Sequence, residues 1–229
     1  MKYEHQSVRK NGRISACARI KFNRMAETTS QMEGIPILGV DPKSYISSSF
    51  YRYLTYDKVK DLIKNGIAFV APYKWDDSYE EFIMRSNLLP NNFTPPYFYC
   101  LCTRADTINE DASWNRYGNS IDNPCLRLNI KLSYLAEILK SYAKNVGARV
   151  YLSKMHYLPT NDYSTTSISS FINQYWKENY SELLNNIDET KFIQLLSFKG
   201  NGYAYENEWR FYIVSNKQLD NEIPGVIKI

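Results

Sequence analysis

Two carboxylates and a guanidinium stand at alternate positions near the C-terminal end of the chain: Glu206, Glu208 and Arg210. They fall in a stretch rich in aromatic and β-branched residues, which predicts a strand over residues 203–214. Side chains at every second position of a strand share a face, about 7 Å apart, so we expect these three groups on one side. Charges within a strand cost free energy unless they are paired or used. The pattern therefore predicts either a functional site or the solvated face of an edge strand.

Acidic side chains of this kind also suit a metal-dependent nuclease, in which they bind Mg²⁺ and a cation contacts the scissile phosphate. The Asp…Glu-x-Lys spacing of such enzymes is missing, since Glu206 is followed two residues later by Glu208, and Glu208 by Arg210. The candidate metal ligands are Asp77, Glu80, Glu206 and Glu208, with Lys199 or Arg210 near the phosphate. A third alternative is a non-enzymatic module whose charged strand and tyrosines form a protein interface.

A strand–helix–strand unit precedes these residues. Residues 50–54 are predicted as a short strand, Thr55 as the N-cap of a helix over Tyr56–Asn65, and Gly66 as its C-terminal stop. Residues 67–71 predict the next strand. Further strands are predicted at 16–22, 97–102, 125–130, 150–158 and 225–229, and helices at 132–144, 168–184 and 189–196. This mixed order favours an α+β fold, a single domain with a mixed or antiparallel sheet and flanking helices.

The basic charge of the chain is concentrated at its beginning. Residues 1–25 hold seven Lys or Arg against one Glu, a net charge of +6, whereas the remainder has 21 basic against 23 acidic residues, a net charge of −2. Residues 1–45 are poorly patterned and are interpreted as a basic N-terminal arm, followed by an α+β domain over residues 46–229. Such an arm either contacts nucleic acid or an acidic partner, or is solvated.

The cysteines and the hydropathy pattern indicate the cellular environment that the sequence predicts for the protein. Cys100 and Cys102 lie two apart on a predicted strand, which is not the spacing of a zinc knuckle, so no metal is expected. Reduced, buried thiols favour a cytoplasmic protein. The sequence has no apolar run of 18 residues, and neither a membrane contact nor a secretory signal is predicted.

Several stretches together resemble a bacterial family catalogued as domain of unknown function 2971 (DUF2971). They are Tyr51-Arg52-Tyr53, Trp75-Asp76-Asp77-Ser78-Tyr79-Glu80, Tyr99-Cys100-Leu101-Cys102, Trp114-Asn115-Arg116-Tyr117 and Glu206-Asn207-Glu208-Trp209-Arg210. The similarity runs from about residue 50 to residue 214. The second stretch departs from the family pattern, because Asp77 is followed by Ser78 where the family has Pro.

The layout also resembles that of the ADP-ribosyltransferases, in which a first-strand Arg or His holds NAD and the second Glu of a Glu-x-Glu pair is catalytic. The resemblance implies an NAD-consuming ADP-ribosyltransferase or NAD glycohydrolase, in the role of a toxin or a phage-defence effector. It implies that Glu208 is catalytic, that Glu206 orients the acceptor or the ribose, and that Arg52 holds a phosphate or ribose. The other cofactor contacts that it implies are Tyr53, Arg116, Tyr117 and Arg210. The acceptor, protein or nucleic acid, stays open.

Overall fold

The computed structural model describes residues 30–39, 48–75, 89–90, 93–106, 111, 113–114, 124–158, 169–170, 173, 185–220 and 222–229. Within them the chain forms an α+β fold, as predicted. The strands are β1 (Ser30–Met32), β2 (Ile35–Leu38), β3 (Ser49–Thr55), β4 (Ala68–Val70), β5 (Tyr97–Arg104), β6 (Cys125–Lys131), β7 (Arg149–Lys154), β8 (His156–Leu158), β9 (Phe198–Gly200), β10 (Glu208–Ser215) and β11 (Val226–Lys228). The helices are α1 (Tyr56–Asn65), α2 (Leu132–Val146) and α3 (Glu189–Leu195), with 3-10 turns at Pro72–Lys74 and Asn201–Glu206.

Nine of these strands form one mixed sheet in the order β1-β2-β7-β10-β5-β3-β6, with β4 also paired to β5 and β11 paired to β4. The pairing of β2 with β7 is parallel, and the other pairings in this sheet are antiparallel. Strands β8 and β9 form a separate parallel pair. Strand β10 therefore lies in the middle of the sheet, so of the two alternatives for Glu208 and Arg210 the solvated edge strand is wrong.

Two hydrophobic cores cover the two faces of the sheet. Because side chains alternate along β10, Trp209 and Phe211 enter one core, which Phe50 and helix α2 complete. Tyr212 and Val214 enter the other core, where helix α3 packs. Helix α2 buries Leu132, Leu135, Ala136, Leu139 and Ala143, the spacing of an amphipathic helix.

The predicted strand–helix–strand unit is confirmed. Helix α1 begins at Tyr56 and ends at Asn65, the predicted bounds, and Gly66 follows with φ 87°, a conformation that side chains disfavour. Thr55 occupies the N-cap position, but its side chain makes no capping hydrogen bond. The amide of Gly66 closes the helix by donating to the carbonyl of Leu62.

The predicted strand over residues 203–214 is wrong at its beginning. Residues 201–206 form a 3-10 turn, and the chain enters β10 only after Asn207, whose φ of 40° is left-handed. Asn is one of the few residues that adopt this conformation at modest cost. The predicted strand over 150–158 is also divided, since Met155 separates β7 from β8.

Part of the predicted N-terminal arm belongs to the sheet. Strand β2 pairs in parallel with β7, placing Ile37 opposite Leu152. The side chains of Ile35 and Ile37 are buried in the core on the α2 face. Residues 1–29, with the predicted strand at 16–22, lie outside the described residues, as does most of the predicted helix at 168–184.

None of the helices in the described ranges combines the length and the apolar character that crossing a membrane requires.

Candidate functional site

A cleft of about 360 Å³ opens on the face of the sheet that carries Glu208 and Arg210. Strand β5 pairs with β4 at Cys100 and with β3 at Arg104, along the same edge. Strands β3 and β4 therefore part between these two points, and the cleft lies at the gap. Its walls come from β3, β4 and β5, and its floor from β9, β10 and the 3-10 turn at Asn201–Glu206.

The floor of the cleft is a chain of buried ion pairs centred on Glu208. One carboxylate oxygen of Glu208 accepts a hydrogen bond from Nε of Arg210 at 2.6 Å, and the other accepts one from Nζ of Lys199 at 2.9 Å. Glu208 is 4% exposed and Arg210 is 2% exposed. Since both carboxylate oxygens are bound by cations, Glu208 is fixed in position and in its ionised form.

Lys199 joins the two acidic residues of the motif. Its Nζ also donates to Glu206 at 2.7 Å, and it lies 4.7 Å from the ring centre of Tyr203. Glu206 is not on the strand, yet the turn at Asn207 brings its carboxylate to the same ammonium group as that of Glu208. The two carboxylates therefore lie close together, as predicted. They do so because both bind Lys199, and not because they alternate along one strand.

The pKa values of this cluster follow from the balance of burial and charge. Burial opposes ionisation of Glu208, but the nearby Arg210 and Lys199, together with hydrogen bonds from Arg210 and Cys102, lower its pKa well below the usual value. Burial likewise disfavours the ammonium of Lys199, but attraction by Glu208 and Glu206 raises its pKa. Both groups are therefore charged at neutral pH.

Neighbouring side chains hold the floor in place. The guanidinium of Arg210 stacks over Trp75, 4.3 Å from the ring centre, and donates to the carbonyl of Leu196 at 3.3 Å. The hydroxyl of Tyr157 accepts a hydrogen bond from the amide of Glu208 at 2.8 Å. The orientation of Glu208 is thus set through its side chain and its backbone together.

The cleft carries more cations than carboxylates. Among the described residues that line it, Glu206 and Glu208 are the only acids, and six side chains are cationic. These are Arg52, Lys58, Lys74, Arg104, Lys199 and Arg210. The aromatic side chains on the lining are Tyr51, Tyr53, Trp75, Tyr203 and Tyr205. Cations and flat rings around one cleft suit a ligand with phosphate groups and planar rings.

Arg104 is a cleft residue that the sequence interpretation missed. It lies opposite Glu208 in the pairing of β10 with β5, and its guanidinium donates to Ser113 at 2.8 Å and contacts Asp106 at 3.4 Å. The predicted strand ended at Cys102, whereas β5 continues to Arg104. Extending the alternation of Cys100 and Cys102 by one more step would have found it.

The two cysteines of β5 line the cleft. The Sγ atoms of Cys100 and Cys102 are 4.0 Å apart, and both residues are reduced. Burial raises the pKa of the Cys100 thiol. The prediction that these residues share a face is confirmed, since Cys100 lies opposite Tyr212 and Cys102 opposite Arg210.

The structure brings five of the seven predicted site residues to this one cleft. They are Glu206, Glu208, Arg210, Arg52 and Tyr53. Tyr53 is buried and packs edge-on against Trp114, 4.9 Å between ring centres. Arg116 and Tyr117 lie outside the described residues, as do Asp77 and Glu80 of the nuclease alternative.

The remaining predictions concern metal binding and His156. The described residues contain no group of three or more His, Cys, Asp or Glu side chains placed to hold a metal ion. His156, interpreted as structural, is half-buried beside the ring of Phe198, and burial lowers its pKa to about 3.

Comparison with known proteins gave no match to a family model, to a curated protein or to a solved structure. Membership of the DUF2971 family and the cytoplasmic location therefore stay predictions.

Proposed function

We propose that this protein cleaves the nicotinamide–ribose bond of NAD, as a glycohydrolase or as an ADP-ribosyltransferase. The observation that carries the proposal is the ionised Glu208, fixed by Lys199 and Arg210 at the floor of a cationic, aromatic cleft. The role as a toxin or phage-defence effector, implied by the sequence resemblance, is part of the same proposal.

The reaction needs a carboxylate of this kind. When the bond between the ribose C1′ and the nicotinamide nitrogen breaks, the bonding electrons go to the nicotinamide, which leaves uncharged, and positive charge develops on the ribose as in glycoside cleavage. A preorganised carboxylate stabilises that charge more effectively than water, because it needs no reorientation. Water or an acceptor then bonds to C1′ and loses a proton to the solvent.

Glu208 meets this requirement because it stays ionised. A general acid needs a raised pKa, whereas a nucleophile or a charge stabiliser needs a carboxylate that remains charged. Arg210 and Lys199 lower the pKa of Glu208 and hold both of its oxygens. We assign Glu208 to the ribose and Glu206, at the other side of Lys199, to the acceptor.

Cations on the walls supply the binding of the diphosphate. Arg52 on β3 and Arg104 on β5 line the cleft on the side where β3 and β4 part. Guanidinium groups bind phosphate oxygens through paired hydrogen bonds. The rings of Tyr51 and Tyr205 on the lining offer apolar surface to the nicotinamide or the adenine.

The metal-dependent nuclease is the less favoured alternative. The side chains that would bind the metal and the phosphate already bind one another. Lys199 donates to Glu206 at 2.7 Å and to Glu208 at 2.9 Å, and Arg210 donates to the other carboxylate oxygen of Glu208. A divalent cation at these carboxylates would have to displace two cationic side chains. The cationic lining favours an anionic ligand instead.

The decisive experiment measures nicotinamide release from NAD in EDTA by the wild type, Glu208→Gln and Glu137→Gln. Glu137 is exposed on α2 and does not line the cleft, so its variant controls for the loss of one carboxylate. We expect Glu208→Gln to release nicotinamide about 10²–10³-fold more slowly, the loss typical of one electrostatic stabiliser, and Glu137→Gln to behave as the wild type. Parallel assays with cell extract and with nucleic acid supply possible acceptors. A folded wild type that releases no nicotinamide under any of these conditions would refute the proposal.

A further inference from the structure

We propose that the acceptor of the ADP-ribose is single-stranded nucleic acid, bound by Lys58 and Lys74 at the rim of the cleft. This inference rests on the proposed function and names the second substrate of the same site.

The charges of the cleft separate into three sets. On the floor, Lys199 and Arg210 are balanced by Glu206 and Glu208. On the walls, Arg52 and Arg104 are assigned to the NAD diphosphate, and Arg104 also contacts Asp106 at 3.4 Å. Two more cations, Lys58 and Lys74, then remain on a lining that carries no further acid among the described residues.

These two lysines lie where a polymer could reach them. Lys58 stands in the first turn of α1, and Lys74 ends the 3-10 turn that follows β4. Both are exposed, whereas the ion pairs of the floor are buried. Helix α1 follows β3 and the 3-10 turn follows β4, so each lysine lies on the element that comes directly after one of the two strands that border the gap. An ammonium on a flexible stem binds phosphate as a point charge without demanding one geometry.

The size and the rings of the cleft favour a single strand. A cleft of about 360 Å³ admits a small ligand or one unit of a polymer, but not a duplex. Proteins that bind single strands combine a cationic groove with aromatic side chains on which bases stack. Trp75 follows Lys74 at the end of the 3-10 turn and lies on this lining beside the cations. We infer that the strand runs across the rim and presents one nucleotide to the cleft.

The charge distribution of the sequence supports the same partner. Residues 1–25 carry a net charge of +6, while the rest of the chain is slightly acidic. An acidic protein surface would be attracted to this segment as well. A strand of successive phosphates carries enough charge for this segment and for Lys58 and Lys74 together.

The transfer balances without another reactant. The C1′–nitrogen bond of NAD breaks and its electrons leave with nicotinamide, while an oxygen or nitrogen of the nucleotide forms the new bond to C1′. That atom gives its proton to the solvent, so the products are the ADP-ribosylated strand, nicotinamide and a proton.

Binding of a fluorescent single-stranded oligonucleotide, measured against salt without NAD, tests the inference. The rim variant is Lys58→Gln/Lys74→Gln. The control variant is Lys60→Gln/Lys64→Gln, which changes two exposed lysines of α1 outside the cleft lining. Each phosphate contact on a single strand contributes about 0.7 to the slope of log affinity against log salt. We expect the slope to fall by about 1.4 in the rim variant and to stay unchanged in the control.

A second readout follows labelled NAD. The label should appear on the oligonucleotide with the wild type and fall at least about tenfold with the rim variant, the loss expected for about 1.4 kcal/mol of binding. Absence of oligonucleotide binding, equal slopes in all three proteins, or label found on added protein but not on nucleic acid would each overturn the inference. A wild type that releases no nicotinamide, but binds the strand through the rim, would instead defeat the proposed function and leave nucleic acid as the ligand of the cleft.

Discussion

The cost of burying charge decides what Glu208 can do. A carboxylate removed from water is stable only if its lost hydration is replaced, and here Arg210 and Lys199 replace it at 2.6 and 2.9 Å. The same contacts keep the group ionised at neutral pH and leave it no freedom to rotate. Stability and chemistry at this position therefore depend on the same three side chains.

Replacing Arg210 by Met should lower the free energy of unfolding by about 3–5 kcal/mol, because Glu208 then loses one of its two cations in a buried site. Met keeps much of the apolar volume, so a cavity is not the main cost. Urea denaturation at neutral pH measures the effect. The matched control is Lys60→Met, which removes an exposed ion pair with Asp57 and should change stability little. If the two substitutions changed the free energy of unfolding equally, the ion pair between Glu208 and Arg210 would not contribute to stability.

The types and spacing of these residues were sufficient to predict a site, but not the ion pairs and hydrogen bonds that connect its side chains. Glu206, Glu208 and Arg210 stand together in the sequence, and the sequence alone marked all three as candidates. Lys199 lies on a different element, and its bonds to both carboxylates depend on the position of β9 relative to β10, which alternation along one strand does not encode.

At the scale of elements, the entry into β10 decides where Glu206 lies. A continuous strand would have put Glu206 and Glu208 on one face of the sheet. The 3-10 turn at Asn201–Glu206 and the left-handed Asn207 turn the chain instead, and the amide side chain of Asn207 donates to Asp106. Residues 203–206 have the composition of a strand, so their β-propensity did not indicate that tertiary contacts would favour a 3-10 turn instead.

Substitution of Asn207 by Ala and by Gly separates the backbone strain from the hydrogen bond. Both variants lose the hydrogen bond to Asp106, but only Ala must hold a Cβ at φ 40°. Asn207→Ala should therefore be less stable than Asn207→Gly by about 1 kcal/mol or slightly more, the cost of the left-handed conformation for a residue with a side chain. Thermal or urea unfolding of the two proteins gives the difference directly. If the Ala variant proved as stable as the Gly variant, the left-handed turn would not be present in solution.

The elements that were predicted best are those whose local sequence agrees with their packing. Helix α1 has an N-cap position at Thr55 and a Gly66 stop, and both of its ends were predicted to the residue. Strands β1, β2 and β9 were missed because three or four residues carry too little pattern, and because β2 and β9 pair with β7 and β8, which are distant in sequence.

For the whole molecule, the sheet joins segments from both ends of the chain. Strand β11, near the C-terminus, pairs with β4 at the cleft, and β2 adds to β7 from within the predicted arm. Composition alone separated residues 1–45 from the rest, because basic and polar residues dominate the segment. The apolar residues that enter the core, Ile35, Ile37 and Leu38, are too few to alter that average.

Ile37 offers a direct test of whether residues before position 46 fold with the domain. Its side chain is 2% exposed and lies in the core on the α2 face, whereas Ile63 on α1 is 78% exposed. Ile37→Ala should lower the free energy of unfolding by about 2–5 kcal/mol, since it removes buried methyl groups and leaves a cavity. Ile63→Ala, the same chemical change at the surface, should stay within about 0.5 kcal/mol of the wild type. Urea denaturation followed by tryptophan fluorescence measures both.

A single transition that shifts only with Ile37→Ala would show that β2 unfolds with the rest of the sheet. Equal midpoints for the two variants would mean that β2 contributes nothing to the stability of the domain, and the boundary at residue 46 would then describe the folded unit.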